Sequence, residues 1–108
     1  MMKLIFAIVS NDDSAQVSAI LTRNGFSVTK LATTGGFLMA GNTTFLLGVD
    51  EDKVETAIDL IKKHSKRRNQ MVPSNTSFDT AMYSTFPVEV SVGGATIFVL
   101  SVDRFEKA

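Results

Sequence analysis

Cysteine and tryptophan are missing from this 108-residue chain, histidine occurs once, and proline twice. Without cysteine there is no disulfide framework, no thiolate zinc site and no cysteine nucleophile. A lone histidine, His64, leaves a His-rich metal site or a Ser-His-Asp triad without parts. A surplus of charge is also missing, because eleven basic residues balance eleven acidic ones. Neutrality argues against a nucleic-acid binder, which normally carries an excess of Lys and Arg. No apolar run is long enough to span a bilayer. The run Met1–Val9 lacks the charged start and cleavage pattern of a secretory signal and reads as a first strand. A soluble, cytoplasmic protein is the expectation, with no DNA contact and no membrane insertion.

What is present suits one compact domain, since hydrophobic residues make up 44% of the chain. Leu4–Val9 is apolar at every position, as in a central strand covered on both sides. Asn11, Asp12, Asp13 and Ser14 supply caps and negative charge for a first helix, in which Val17, Ile20 and Leu21 follow helical spacing. Asp13 and Gln16 resemble a capping box, and Gly25 suits the left-handed residue that closes a helix. Phe26–Thr33 and Thr43–Val49 read as two antiparallel strands. Asp50, Glu51 and Asp52 open a second helix with an apolar stripe of Val54, Ala57, Ile58 and Ile61. A basic cluster from Lys62 to Arg68 reads as its dipole-matched, solvated end, and His64 as a helix-end residue. Residues 69–85 read as a long flexible loop. Pro87–Val92 and Ala95–Val102 read as strands of a terminal hairpin turning at Gly93-Gly94.

The predicted fold is therefore α+β and ferredoxin-like (βαββαβ): an antiparallel sheet, two helices on one face, and an additional C-terminal hairpin strand. Strands one, three and last carry large apolar residues on both faces, including Phe6, Phe45, Leu46, Phe98 and Leu100. Two helices cover only one face. A second copy of the chain is the simplest cover for the other, so homo-oligomerisation is expected.

The chemistry concentrates in the glycine-threonine loop, residues 33–44, between strands two and three. Thr33, Thr34, Thr43 and Thr44 bring hydroxyls, and Asn42 brings an amide. Gly35, Gly36 and Gly41 permit close backbone approach to anionic oxygens, and Phe37 offers a stacking face. An ordinary hairpin loop uses the same residue types, and on residue types alone that reading stands slightly ahead. Gly35-Gly36 has no Gly-Lys-Ser/Thr ending and opens no helix, so it is not a P-loop. Phe98 on a strand is first a core residue by type. No paired acids stand at catalytic spacing. The chain reads as a binding protein, not an enzyme.

From Thr29 to Gly48 the sequence is TKLATTGGFLMAGNTTFLLG. It resembles the PII-like cyclic di-AMP receptor proteins of Gram-positive bacteria, whose pattern is TKLATTGGFLxxGNTTFLxG. The run PVEVSVGGATIFVL from Pro87 is similar to the family's PVEVxVGGATVFV, and KLIFAIV and Asn24-Gly25-Phe26 agree as well. The resemblance implies a PII-like homotrimer that binds cyclic di-AMP in clefts between subunits without catalysis or cofactor. It also implies that the nucleotide reorders the 69–85 loop to signal to a protein partner. By matching residues, Thr29 and Asn42 would hydrogen-bond the ligand and Gly36, Phe37 and Leu38 would shape one wall. Gly48 would allow close approach, and Phe98 would pack on an adenine. Two departures stand out: Ser27 occupies a position where the family commonly has arginine, and Ser101 one where proline is usual. The alternative from the same architecture is a PII-type regulator binding another nucleotide such as ATP.

Overall fold

The computed structural model describes residues 1–31, 41–73 and 87–108. Strand β1 (Met2–Ser10) leads into helix α1 (Asn11–Arg23), followed by β2 (Val28–Leu31) and β3 (Asn42–Asp50). A single 3-10 turn (Glu51–Lys53) opens helix α2 (Val54–Lys63), and β4 (Arg68–Pro73), β5 (Pro87–Val92) and β6 (Ala95–Ser101) complete the chain. Strands β2, β3, β1 and β6 form an antiparallel sheet in that order. This is the expected ferredoxin-like α+β plan.

Alternation along the central strands decides which face is filled. Ile5, Ala7 and Val9 of β1 and Phe45, Leu47 and Val49 of β3 point to the helices and are buried. Val17 and Leu21 of α1, and Ala57 and Ile61 of α2, close over them. Burial of each large apolar side chain contributes roughly 1.5–3 kcal/mol relative to leaving it in water. The opposite face carries Leu4, Phe6 and Ile8 of β1 with Leu46 of β3, all half-buried, and Phe98 and Leu100 of β6, 53% and 48% exposed. The two helices thus leave one apolar sheet face open.

Local chemistry explains the helix ends. The N-cap of α1 is Ser10, whose Oγ accepts from the Asp12 backbone N–H at 3.2 Å. Asp13, expected as part of a capping box, is instead 4% exposed and pairs with Arg68, 55 positions away. Asn24 and Gly25 close α1, with Gly25 at φ 89°, the left-handed conformation its place after the helix predicts.

Two expectations about the C-terminal half need correction. Arg68–Pro73, the beginning of the stretch read as a loop over 69–85, forms β4. Residues 74–86 of that stretch lie outside the described residues. β5 also does not pair with β6 in a terminal hairpin; it pairs with β4 in a separate two-stranded ribbon, while β6 pairs with β1. Gly93 and Gly94, both at φ 86°, form the junction where the chain passes from ribbon to main sheet. A Cβ at Gly93 would collide with the Lys66 carbonyl, so the turn requires glycine there.

Candidate functional site

The register places the predicted residues by strand and face. Thr29 of β2 lies opposite Leu46 of β3, Leu46 opposite Phe6 of β1, and Phe6 opposite Phe98 of β6. These four residues form one cross-strand row on the open face. Thr29 and Phe98 occupy its two ends, three strand spacings apart, about 14 Å. Asn42, Thr44, Leu46 and Gly48 share this face because side chains alternate along β3. Asn42 and Gly48 are six residues apart, about 20 Å along the strand. The chain therefore gathers Thr29, Asn42 and Gly48 onto the β2–β3 side and puts Phe98 at the far edge. Gly36, Phe37 and Leu38 lie outside the described residues.

Thr29, Gly48 and Phe98 are not used by the core among the described residues. Thr29 is exposed, and Phe98 is half out of the protein, so the core-residue reading of Phe98 is set aside. Gly48 has no positive φ, and a Cβ there would meet only Met2 Sδ at 3.9 Å, an ordinary contact. Nothing within the described chain requires glycine at that point. Its smoothness is available to something arriving from outside.

One of the four threonines of the glycine-threonine loop, not singled out as a ligand contact in the sequence, stands apart on this face. Thr44 is completely buried, and its Oγ1 has no hydrogen-bond partner among the described residues. It lies opposite Leu31 of β2 and Ile8 of β1, between Asn42 and Leu46. An unpaired buried hydroxyl is costly, so it is a good donor and acceptor for any polar group that reaches it. In sequence Thr44 is one of two consecutive threonines in a strand, and only the register separates their roles. Its neighbour Thr43 faces the helices and donates to Asn11 Oδ1. The Asn11 backbone N–H also donates to the Gly41 carbonyl at 2.7 Å. The end of the glycine-threonine segment is thus fastened to the first turn of α1.

Two residues along that turn, Asp13 accepts a forked pair of bonds from Arg68, with Nη2 to Oδ1 at 2.9 Å and Nη1 to Oδ2 at 3.3 Å. The bond from Asp13 and the attraction of Asp13 and Asp12 raise the Arg68 pKa above its ordinary value against the opposing effect of desolvation. Arg68 begins β4, so the pair ties the ribbon to α1. His64 is the C-cap of α2, and its Nδ1 lies 3.0 Å from the Leu60 carbonyl, in keeping with a helix-end role. Ser101 ends β6, and its Oγ accepts from Lys3 Nζ at 2.9 Å, a bond that proline would not make. Ser27 is exposed just before β2. Among the described residues no cluster of His, Asp and Glu has the makings of a metal site, and no helix is long and apolar enough to cross a membrane.

A model of the cyclic-di-AMP receptor family matches residues 2–108. The crystal structure of a functionally unknown protein from Pediococcus pentosaceus ATCC 25745 is similar, with a TM-score of 0.75 and 40% sequence identity. The match covers 99% of this chain and 97% of that one. A dinucleotide needs polar groups for its phosphates and base edges and apolar or aromatic surface for its rings, and the open sheet face offers both. On its sequence over nearly its whole length, the chain belongs to the cyclic-di-AMP receptor family.

Proposed function

We propose that the protein is a non-enzymatic sensor that binds cyclic di-AMP in clefts between the subunits of a homotrimer and passes occupancy on to a protein partner in the cytoplasm. The observation that carries the between-subunit reading is the placement of Thr29 and Phe98 at opposite edges of one sheet face. A single adenine cannot meet both within one chain across about 14 Å. The β2 edge of one subunit and the β6 edge of the next supply the two halves. The exposed Phe98 and Leu100 and the half-buried Leu4, Phe6, Ile8 and Leu46 then find cover in neighbouring copies.

In this cleft Thr29 and Asn42 hydrogen-bond the ligand, and Thr44 Oγ1 gains the partner it lacks among the described residues. Gly48 admits the ligand close to the backbone, and Phe98 stacks on an adenine. Gly36, Phe37 and Leu38 complete one wall in this reading. Signal transmission runs through named bonds: Gly41 and Thr43 hold Asn11, and Asp13 on the same helical turn holds Arg68 at the root of the β4–β5 ribbon. A ligand that moves the end of the glycine-threonine segment therefore pulls on the element that fixes the ribbon.

Sedimentation equilibrium tests the assembly. At micromolar concentration the account expects a trimer, and a monomer would dismantle the shared cleft. Competition separates the ATP-binding alternative: excess ATP should leave bound cyclic di-AMP in place.

A further inference from the structure

The basic tract after α2 does more than end a helix. Lys62, Lys63, Lys66, Arg67 and Arg68 are five of the eleven basic residues in the chain, within seven positions. Arg68 is engaged by Asp13; the ion pairs among the described residues are that one and Arg104–Glu106, so neither includes the other four. Together with Ser65, Gly94 and Ala95, those four line an open cavity of about 370 Å³, and none of these described lining residues is acidic.

Capping the helix does not account for these cations. The Leu60 carbonyl receives the His64 N–H, the Lys62 carbonyl receives the Ser65 N–H, and the Ile61 carbonyl receives Ser65 Oγ. Beyond the helix, Gly94 N–H donates to the Ser65 carbonyl and Arg68 Nη1 to that of Lys66. These five carbonyls already have N–H or O–H partners, so the lysine and arginine head groups are not needed to cap them. Register puts Ala95 opposite Val9, on the helix-bearing side of the sheet. The cavity is thus on the other side from Thr29, Asn42, Gly48 and Phe98.

We infer that this cavity is a docking surface for an acidic segment of a partner protein. It stands at the root of the β4–β5 ribbon, where Gly93 and Gly94 turn the chain, and Arg67 lies across Gly94. An acidic protein segment suits it better than other polyanions. The balanced charge of the whole chain gives no long-range pull on nucleic acid. The lining offers no aromatic or large apolar group to enter a membrane surface. Four cations gathered around one open cavity fit a few carboxylates that arrive together.

The test is fluorescence anisotropy of fluorescein-labelled hexaglutamate, with hexaglutamine as the neutral control. The wild-type protein should bind the acidic peptide saturably, bind the neutral one not at all, and release the acidic one as salt rises. The pair Lys66→Glu with Arg67→Glu should weaken binding by about tenfold or more. Lys53→Glu, a single charge reversal before the far end of α2, should alter it by less than about twofold, and Lys66→Glu alone, with the same charge change, should cost clearly more. Cyclic di-AMP affinity should be the same in all four proteins. Five outcomes overturn the proposal: no saturable binding of hexaglutamate by the wild-type protein, undiminished peptide binding by the double variant, an equal loss in Lys53→Glu, a parallel loss of cyclic di-AMP binding, or tighter binding to duplex DNA or phosphatidylglycerol vesicles. A loss of nucleotide affinity would assign these cations to the nucleotide site, and would leave the sensor reading standing.

Discussion

Thr44→Val asks whether the open face stores a binding group at a cost to stability. Thr44 is fully buried, and its hydroxyl has no partner among the described residues. Valine has almost the same shape and keeps the branching that strands favour. The exchange removes an unpaired polar atom and little else. Burying an unsatisfied hydroxyl costs about 1–3 kcal/mol, so the variant should be more stable by about 1–2 kcal/mol once imperfect packing is discounted. For a domain of this size, that corresponds to a rise in Tm of about 4–10 °C. Urea unfolding should show a higher midpoint with an unchanged slope. The same variant should bind cyclic di-AMP about fivefold to tenfold more weakly, the loss of one hydrogen bond of about 1 kcal/mol. A variant less stable than the parent would show that the hydroxyl is satisfied in the free protein. Unchanged affinity together with higher stability would remove Thr44 from the site.

Three further variants probe separate parts of the account. Phe98→Ala should keep the fold of the single chain, because the ring is 53% exposed there, while cyclic di-AMP binding should weaken by about 1–3 kcal/mol, the worth of an aromatic stacked on a base; titration calorimetry reads the loss, and unchanged affinity would remove Phe98 from the site. Gly48→Val should fold as well as the parent, because a Cβ there meets only Met2 Sδ at 3.9 Å, and a valine suits a strand; retained nucleotide affinity in equilibrium dialysis would show that the ligand does not approach the backbone at that point. Asp13→Asn removes the charge that holds Arg68, so amide hydrogen exchange in β4 and β5 should quicken while the central strands β1 and β3 stay protected; uniform exchange across the chain would mean that the pair does not anchor the ribbon.

The main sheet and both helices were legible in the sequence because their signals are local. Ile5, Ala7 and Val9 repeat with period two, Val17 and Leu21 with the helical period, and caps and glycine mark the helix ends. The ribbon was not legible in full. Arg68–Pro73 runs three polar residues and then three apolar ones, with no alternation, and its strand character comes from pairing with β5 across a long separation. Gly93-Gly94 sits between two strand-like runs and so imitates a hairpin turn, yet its geometry leads from one sheet to another. Asp13 has the composition and place of a cap, and only the folded chain brings Arg68 to it.

The candidate site divides in the same way. Thr29, Asn42, Gly48 and Phe98 were named from a motif, which says nothing about the distances between them. The register supplies those distances, and they favour a cleft built from two chains over a pocket within one. Thr44 is only one of four loop hydroxyls in the sequence, because the pair Thr43-Thr44 looks uniform there. Alternation sends Thr43 to Asn11 and leaves Thr44 facing the open side.

Isothermal titration of the purified protein with cyclic di-AMP tests the central claim most directly. The account predicts saturable heat with one nucleotide bound per chain, three per trimer, undisturbed by excess ATP. No saturable heat at protein concentrations of about tens of micromolar, where a Kd in the micromolar range would be plainly visible, would contradict it.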